Sequence, residues 1–174
     1  MEDAVPFGSR TYFACFALLL GGRGADFFST WLATPNLLLE ANPIAKKLGW
    51  RWGIPVNFAL CVAFAHYPLP AIIITTTSAL VASRNLQHAW LMRSMGEEAY
   101  RWWMSERLAE APRGLFVLCL LGQVALTGAV GGALMFFSTG DIGVQGIGMG
   151  ILGYALAVLV FTVISMWRRR RAAG

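Results

Sequence analysis

Long apolar runs separated by short polar loops dominate this chain. Thr11 to Ala33, Gly114 to Phe137 and Ile142 to Trp167 each exceed the roughly 20 residues that a helix needs to cross a bilayer. A further apolar stretch runs from Gly53 to Ala82, interrupted by Tyr67-Pro68-Leu69-Pro70. Two nearby prolines remove two backbone donors and turn the preceding residues away from helix. The stretch therefore reads as two helices, over residues 53–67 and 70–92, joined by a tight turn. Between the third and fourth runs lies the polar connector 93–113, with Glu97 four residues before Arg101 and no glycine between Gly96 and Pro112. That spacing predicts an amphipathic helix in the membrane interface, with its Trp and Met side chains toward lipid.

The expected fold is all-α and integral to the membrane. It has five transmembrane helices, the second and third a tight hairpin, plus one interfacial amphipathic helix. Residues 1–92 form a polar three-helix unit, 93–113 a cytoplasmic connector, and 114–174 a glycine-rich two-helix unit with a basic tail.

Basic residues orient this arrangement. With five spans and the N-terminus outside, Lys46, Lys47, Arg51, Arg93, Arg101, Arg107, Arg113 and the run Arg168 to Arg171 all fall inside. Four spans would put the two basic loops on opposite faces, against the positive-inside rule. Trp50, Trp52, Trp90, Trp102, Trp103 and Trp167 gather at the same cytoplasmic boundary. The implied location is the cell membrane, multi-pass, with the C-terminus cytoplasmic and the acidic Glu2-Asp3 and Asp141 outside.

Composition agrees: 57% of the 174 residues are hydrophobic and 13% charged, against about a quarter charged in an ordinary soluble domain. The net charge of +5 does not point to nucleic acid. Its densest run directly follows an apolar span, where it would touch anionic headgroups. Cys15, Cys61 and Cys119 lie inside spans with no C-x-x-C pair, so neither a disulfide framework nor a zinc site is expected. An acidic N-terminus without an A-x-A-like site predicts no cleavable signal.

Glycine marks the last two spans. Gly128 and Gly132 make a G-x-x-x-G, and Gly143, Gly146, Gly150 and Gly153 form a stripe at helical spacing. Small residues let backbones approach in lipid, so these helices pack on each other, on the first three, or on a second protomer in a homo-oligomer. Gly148-x-Gly150-x-x-Gly153 matches a dinucleotide fingerprint by letter only, because no strand precedes it.

The first three spans carry the polar chemistry. Arg23, Asp26 and Thr30 share one helix face, Glu40 and Asn42 follow in the loop, and Asn57 lies near the start of the second span. The third carries Thr77, then Arg84, Asn85 and His88. The five-span topology sets these groups at similar depth, in the cytoplasmic half. An ionisable residue inside a span costs ~2.5–3.5 kcal/mol on insertion scales, so such a cluster marks function. Plainer roles exist for each. Arg23 and Asp26 could neutralise one another, Asn85 and His88 could join helices, Arg84 could snorkel, and Asn42 could cap the helix begun by Pro43.

Asp26-x-x-x-Thr30 followed by Glu40-Ala41-Asn42-Pro43 resembles the signature of a widespread prokaryotic membrane family, a domain of unknown function. The resemblance covers about residues 12–90. It implies an Asp/Thr helix ending in E-A-N-P, then a helical hairpin with an asparagine near its end, a position that Asn85 would fill. No activity comes with it.

Three roles follow from the residues. Asp26, Glu40, Asn42, Asn85 and His88 could form an ion or proton site in a small transporter, with Asp26, Glu40 and His88 as ligands of a divalent metal ion. A membrane enzyme could act on a lipid-linked substrate at the cytoplasmic leaflet, with Arg84 on its phosphate, although no catalytic motif is present. An accessory subunit would use the same groups only as packing.

Overall fold

The computed structural model describes residues 4–172, with side chains as far as Met166. The described residues form six α-helices and no strand: α1 Arg10–Ala33, α2 Pro43–Phe64, α3 Pro68–Met95, α4 Glu97–Glu110, α5 Arg113–Phe137 and α6 Ile142–Ala172. The side chains of Trp167 and Arg168–Arg171, and the acidic Glu2-Asp3, lie outside the described residues.

Capping chemistry sets several boundaries. Ser9 begins α1, its hydroxyl accepting from the Tyr12 N–H at 3.1 Å. Asn42 begins α2 by accepting from the N–H groups of Ile44 (3.0 Å) and Ala45 (3.4 Å), and Pro43 takes the first helical position, where a missing donor costs nothing. The second helix therefore starts ten residues before the expected Gly53. Gly49, at φ 61°, breaks it into a short first segment and a long arm. The turn after α2 occupies residues 65–67, and Pro68 and Pro70 both sit in the first turn of α3 rather than between helices. Gly96, at φ 82°, ends α3 and starts α4, so the connector helix is shorter than expected and Arg93 belongs to α3.

α3 is the central helix. It packs closely on α1 along one side and on α6 along another, while α5 packs on α6. α2 touches α1 and α3 only sparsely, so the turn between α2 and α3 is tight but the two helices splay apart.

Small residues permit the close contacts. A Cβ on Gly22 of α1 would meet Thr75 of α3 at 3.1 Å. In α6, a Cβ on Gly146 would meet Ile72 Cγ2 at 2.8 Å, and one on Gly150 would meet Thr76 Cβ at 2.6 Å and the Ile73 carbonyl oxygen at 2.9 Å. Gly153 lies further off, at 3.5 Å from Thr77 Oγ1. The stripe expected to pack somewhere thus packs on α3. Gly143 faces Asp141 of its own N-terminal turn. Against α5 the contact runs through Gly131 and Gly148, each 2.8 Å from the other's carbonyl oxygen by the same measure. Gly128 only grazes Leu152 at 3.9 Å, and Gly132 faces open space.

The end of the bundle away from α4 is closed. Val5 and His66 exchange two bonds, Val5 N–H to His66 O at 2.8 Å and His66 Nδ1 with Val5 O at 2.9 Å. The Phe7 and His66 rings each lie 4.9 Å from that of Tyr12, above a core of Cys15, Leu19, Cys61, Ala65 and Ala71.

Two helices are long and apolar enough to cross a membrane, Arg113–Phe137 and the Ile142–Met166 part of α6. The other helices fall short of that measure; the longest three carry Arg23 and Asp26, Lys46, Lys47 and Arg51, and Arg84 and Arg93.

Candidate functional site

Because α2 stands off its neighbours, a cavity of about 500 Å³ opens between α1, the 34–42 loop, α2, α3 and α6. Arg23, Asp26, Thr30, Glu40, Asn42, Asn57, Arg84 and Asn85 all line it. Polar residues scattered over sixty positions of sequence thus share one space.

Arg23 is its hub. Its Nη1 donates to Asp26 Oδ2 at 2.7 Å and to Ser78 Oγ at 3.2 Å. Its Nε donates to Asn57 Oδ1 at 2.8 Å, and Nη2 reaches the same oxygen. The Asn57 amide is oriented by donating to Gly53 O at 2.8 Å. A one-turn spacing sets the Arg23–Asp26 pair, but only the tertiary fold supplies Asn57 and Ser78. Asn85 donates to Thr30 Oγ1 at 3.1 Å and Ser29 Oγ at 3.3 Å, joining α3 to α1. Thr77 donates within hydrogen-bond distance of Gly150 O, 2.9 Å away, joining α3 to α6.

Asn57, expected one turn into its helix, sits well along α2 because that helix begins earlier. His88 takes no part in the cavity lining. Its ring is exposed, with Nδ1 3.4 Å from the Arg84 carbonyl oxygen. Helical spacing sets the angle of a side chain, but not whether another element stands opposite it. Among the described residues no three His, Cys, Asp or Glu side chains gather as a metal-holding group, so Asp26, Glu40 and His88 are not assembled as one.

A second polar knot holds the loop between α1 and α2. The buried Glu97 carboxylate accepts from Thr34 Oγ1 at 2.5 Å, from the Asn36 N–H at 2.8 Å and from the Leu38 N–H at 2.9 Å. Burial alone would raise its pKa; these donors outweigh that and hold the carboxyl below its ordinary value. Glu97 therefore anchors the loop instead of pairing with Arg101 on the surface of α4. Trp50 adds a bond from Nε1 to Pro35 O at 2.8 Å, and Glu40 accepts from the Asn42 N–H at 2.7 Å. A shallower groove of about 590 Å³ lies against the loop and the α3–α4 junction, with Asn36, Arg93 and Glu98 on its walls and none of the Arg23 network.

The sequence reading missed Ser78, Glu97 and the α6 wall, where Tyr154, Phe161, Thr162 and Ser165 face the cavity. The wall left a signal, since Tyr154, Thr162 and Ser165 recur at helical spacing in an otherwise apolar helix. Ser78 and Glu97 left none that spacing could distinguish.

No protein-family model, curated protein or solved structure matches the chain. The likeness to the D-x-x-x-T and E-A-N-P family rests on those residues alone.

Proposed function

We propose that this chain is a five-span membrane protein, N-terminus outside and C-terminus cytoplasmic, that binds a small polar solute in the α1–α2–α3–α6 cavity and serves as a carrier for it. The observation that carries this reading is the single cavity shared by eight polar side chains from three helices and a loop. A space of about 500 Å³ falls within the range usual for small-molecule sites, roughly 300–1,000 Å³. Polar groups within spans normally face such a space. The basic residues Lys46, Lys47, Arg51, Arg93 and Arg107 at the α4 end support a cytoplasmic mouth, and the Val5–His66 closure supports a sealed outer end. The site offers guanidinium, carboxylate, amide and hydroxyl groups. These suit a small organic solute or a proton, with Asp26 and Glu40 as the two carboxylates on the wall.

One observation favours an accessory role instead: the Arg23–Asp26–Asn57–Ser78 network satisfies itself, as packing contacts do.

Cysteine labelling in native vesicles separates the readings. In a Cys119→Ser background, Thr162→Cys reports the cavity and Tyr67→Cys the opposite end. A membrane-impermeant maleimide is expected to label Thr162→Cys only in inside-out vesicles and Tyr67→Cys only in right-side-out ones. Thr162→Cys inert from both faces would leave the cavity as packing, and labelling from the outer face would overturn the topology.

A further inference from the structure

Among the four charged groups on the cavity wall, two are matched and two are not. Arg23 and Asp26 form an ion pair at 2.7 Å. Glu40 accepts a backbone N–H but has no cationic partner, and the half-buried Arg84 guanidinium makes no hydrogen bond or ion pair among the described residues. An uncompensated guanidinium in a partly dry cavity calls for an anion, best a phosphate or carboxylate that matches its planar fork. The uncompensated carboxylate calls for a cation. One ligand that answers both is a zwitterion.

The shape of the cavity says where such a ligand comes from. The space is walled by α2 on one side and α6 on the other, yet no Cα of α2 lies within 8 Å of one in α6 among the described residues. On that side of the cavity α2 and α6 therefore do not pack closely on one another. Leu48 of α2 and Ala157, Val158 and Phe161 of α6 give the cavity an apolar lining on those two walls. α2 also carries outward-facing Ile54 and Phe58, 56% and 52% exposed, so its outer surface suits lipid. A water-soluble zwitterion gains little from apolar lining beside its charged partners, whereas a lipid sets its headgroup on the charged groups and its chains along the apolar walls.

We infer that the cavity takes a phospholipid with a zwitterionic, amine-bearing headgroup, its phosphate on Arg84, its ammonium on Glu40 and its acyl chains along the apolar walls of α2 and α6. This rests on the solute-binding reading above and names its substrate class.

The test uses the full chain in dodecyl maltoside, with the thermal unfolding midpoint followed during titration. The probes are dihexanoyl phosphatidylethanolamine, dihexanoyl phosphatidylglycerol, soluble phosphoethanolamine and inorganic phosphate. The ethanolamine lipid is expected to raise the midpoint at concentrations about tenfold lower than any other probe. Arg84→Gln should weaken it by about tenfold and Arg84→Lys by less, since lysine keeps the charge but not the fork. Glu40→Gln should abolish the preference for the ethanolamine lipid over the glycerol lipid, and Glu40→Asp should retain it. Filling the apolar side of the cavity with Ala157→Trp should remove lipid binding and spare phosphoethanolamine.

Phosphoethanolamine acting as well as the lipid would overturn the lipid assignment while leaving a solute site intact. Equal response of wild type and Arg84→Gln would overturn the phosphate assignment. If none of the four probes shifts the midpoint, the inference fails. Labelling of Thr162→Cys from the cytoplasmic face then tells whether the cavity reading survives it.

Discussion

On its α6 side, α3 meets its neighbour so closely that Gly150 has no room for a methyl group; on its α2 side the two helices part and leave a cavity of about 500 Å³. The α6 seam is made of glycine against threonine and isoleucine, and its cohesion is van der Waals contact at short range. α2 is held instead by tethers: Arg23 to Asn57, Tyr12 Oη to Val62 O at 3.4 Å, Trp50 to Pro35, and edge contacts such as Phe16 with Phe58. Long polar side chains bridge helices at a distance that glycine would have closed. One helix, α6, serves both modes, with Gly146 and Gly150 on α3 and its later Tyr154-to-Ser165 face on the cavity. The sequence-level split into a polar unit and a packing unit thus becomes a continuum through α3 and α6.

The largest expected effect comes from breaking the seam. Gly150→Leu should destabilise the protein by about 3 kcal/mol, because backbone and Thr76 stand where its side chain would go. Gly132→Leu, facing open space, should stay within about 0.5 kcal/mol of wild type. Unfolding in detergent measures both, and equal midpoints would discard the close-packed seam.

On the tethered side, Arg23→Ala should cost about 2 kcal/mol, an amount moderated by partial solvent access, since it strands Asp26 and Asn57 together. Arg84→Ala has no bond to lose and should change stability by less than about 0.5 kcal/mol. Hydrogen exchange sharpens this contrast: amides of α2 should exchange faster than those of α6, and faster still in Arg23→Ala. Uniform protection across both helices would contradict it.

Glu97→Gln should cost about 1–2 kcal/mol by weakening the three bonds that hold the loop. The folded pKa of Glu97 lies below its ordinary value, so its contribution is complete above the unfolded value of about 4.3 and fades as pH falls through the folded one. Wild type should therefore lose stability below about pH 4.3 more steeply than Glu97→Gln, whose curve lacks that limb. Parallel curves would remove Glu97 from the loop anchor.

Smallest is the cap. Asn42→Ala should cost about 1 kcal/mol through loss of the bonds to Ile44 and Ala45. His88→Ala should be neutral within about 0.5 kcal/mol, and a loss as large as that of Asn42→Ala would mean the exposed imidazole has a partner after all.

Much of this was legible in the one-dimensional pattern. Periodicity and proline punctuation predict a helical hairpin turning at residues 67–70, a few residues beyond the observed turn at 65–67, and Asn42-Pro43 predicts its own cap. Equal depth, set by alternating chain direction and residue counts, predicts that Arg23, Asp26, Glu40, Asn42, Asn57, Arg84, Asn85 and His88 could meet, and all but His88 line the one cavity. Boundaries moved where a glycine at positive φ, Gly49 or Gly96, redirected the chain, since whether a glycine bends is settled by what surrounds it.

Local rules act over a few residues, and so they reach as far as helix, cap and height. Which faces meet depends on contacts between positions far apart in the chain. That is why only the folded protein separates Gly131 from Gly132 as the packing residue, turns Glu97 inward to the loop and leaves His88 outside. It is also why the α2–α6 gap, which depends on two helices failing to touch, has no trace in the order of the amino acids.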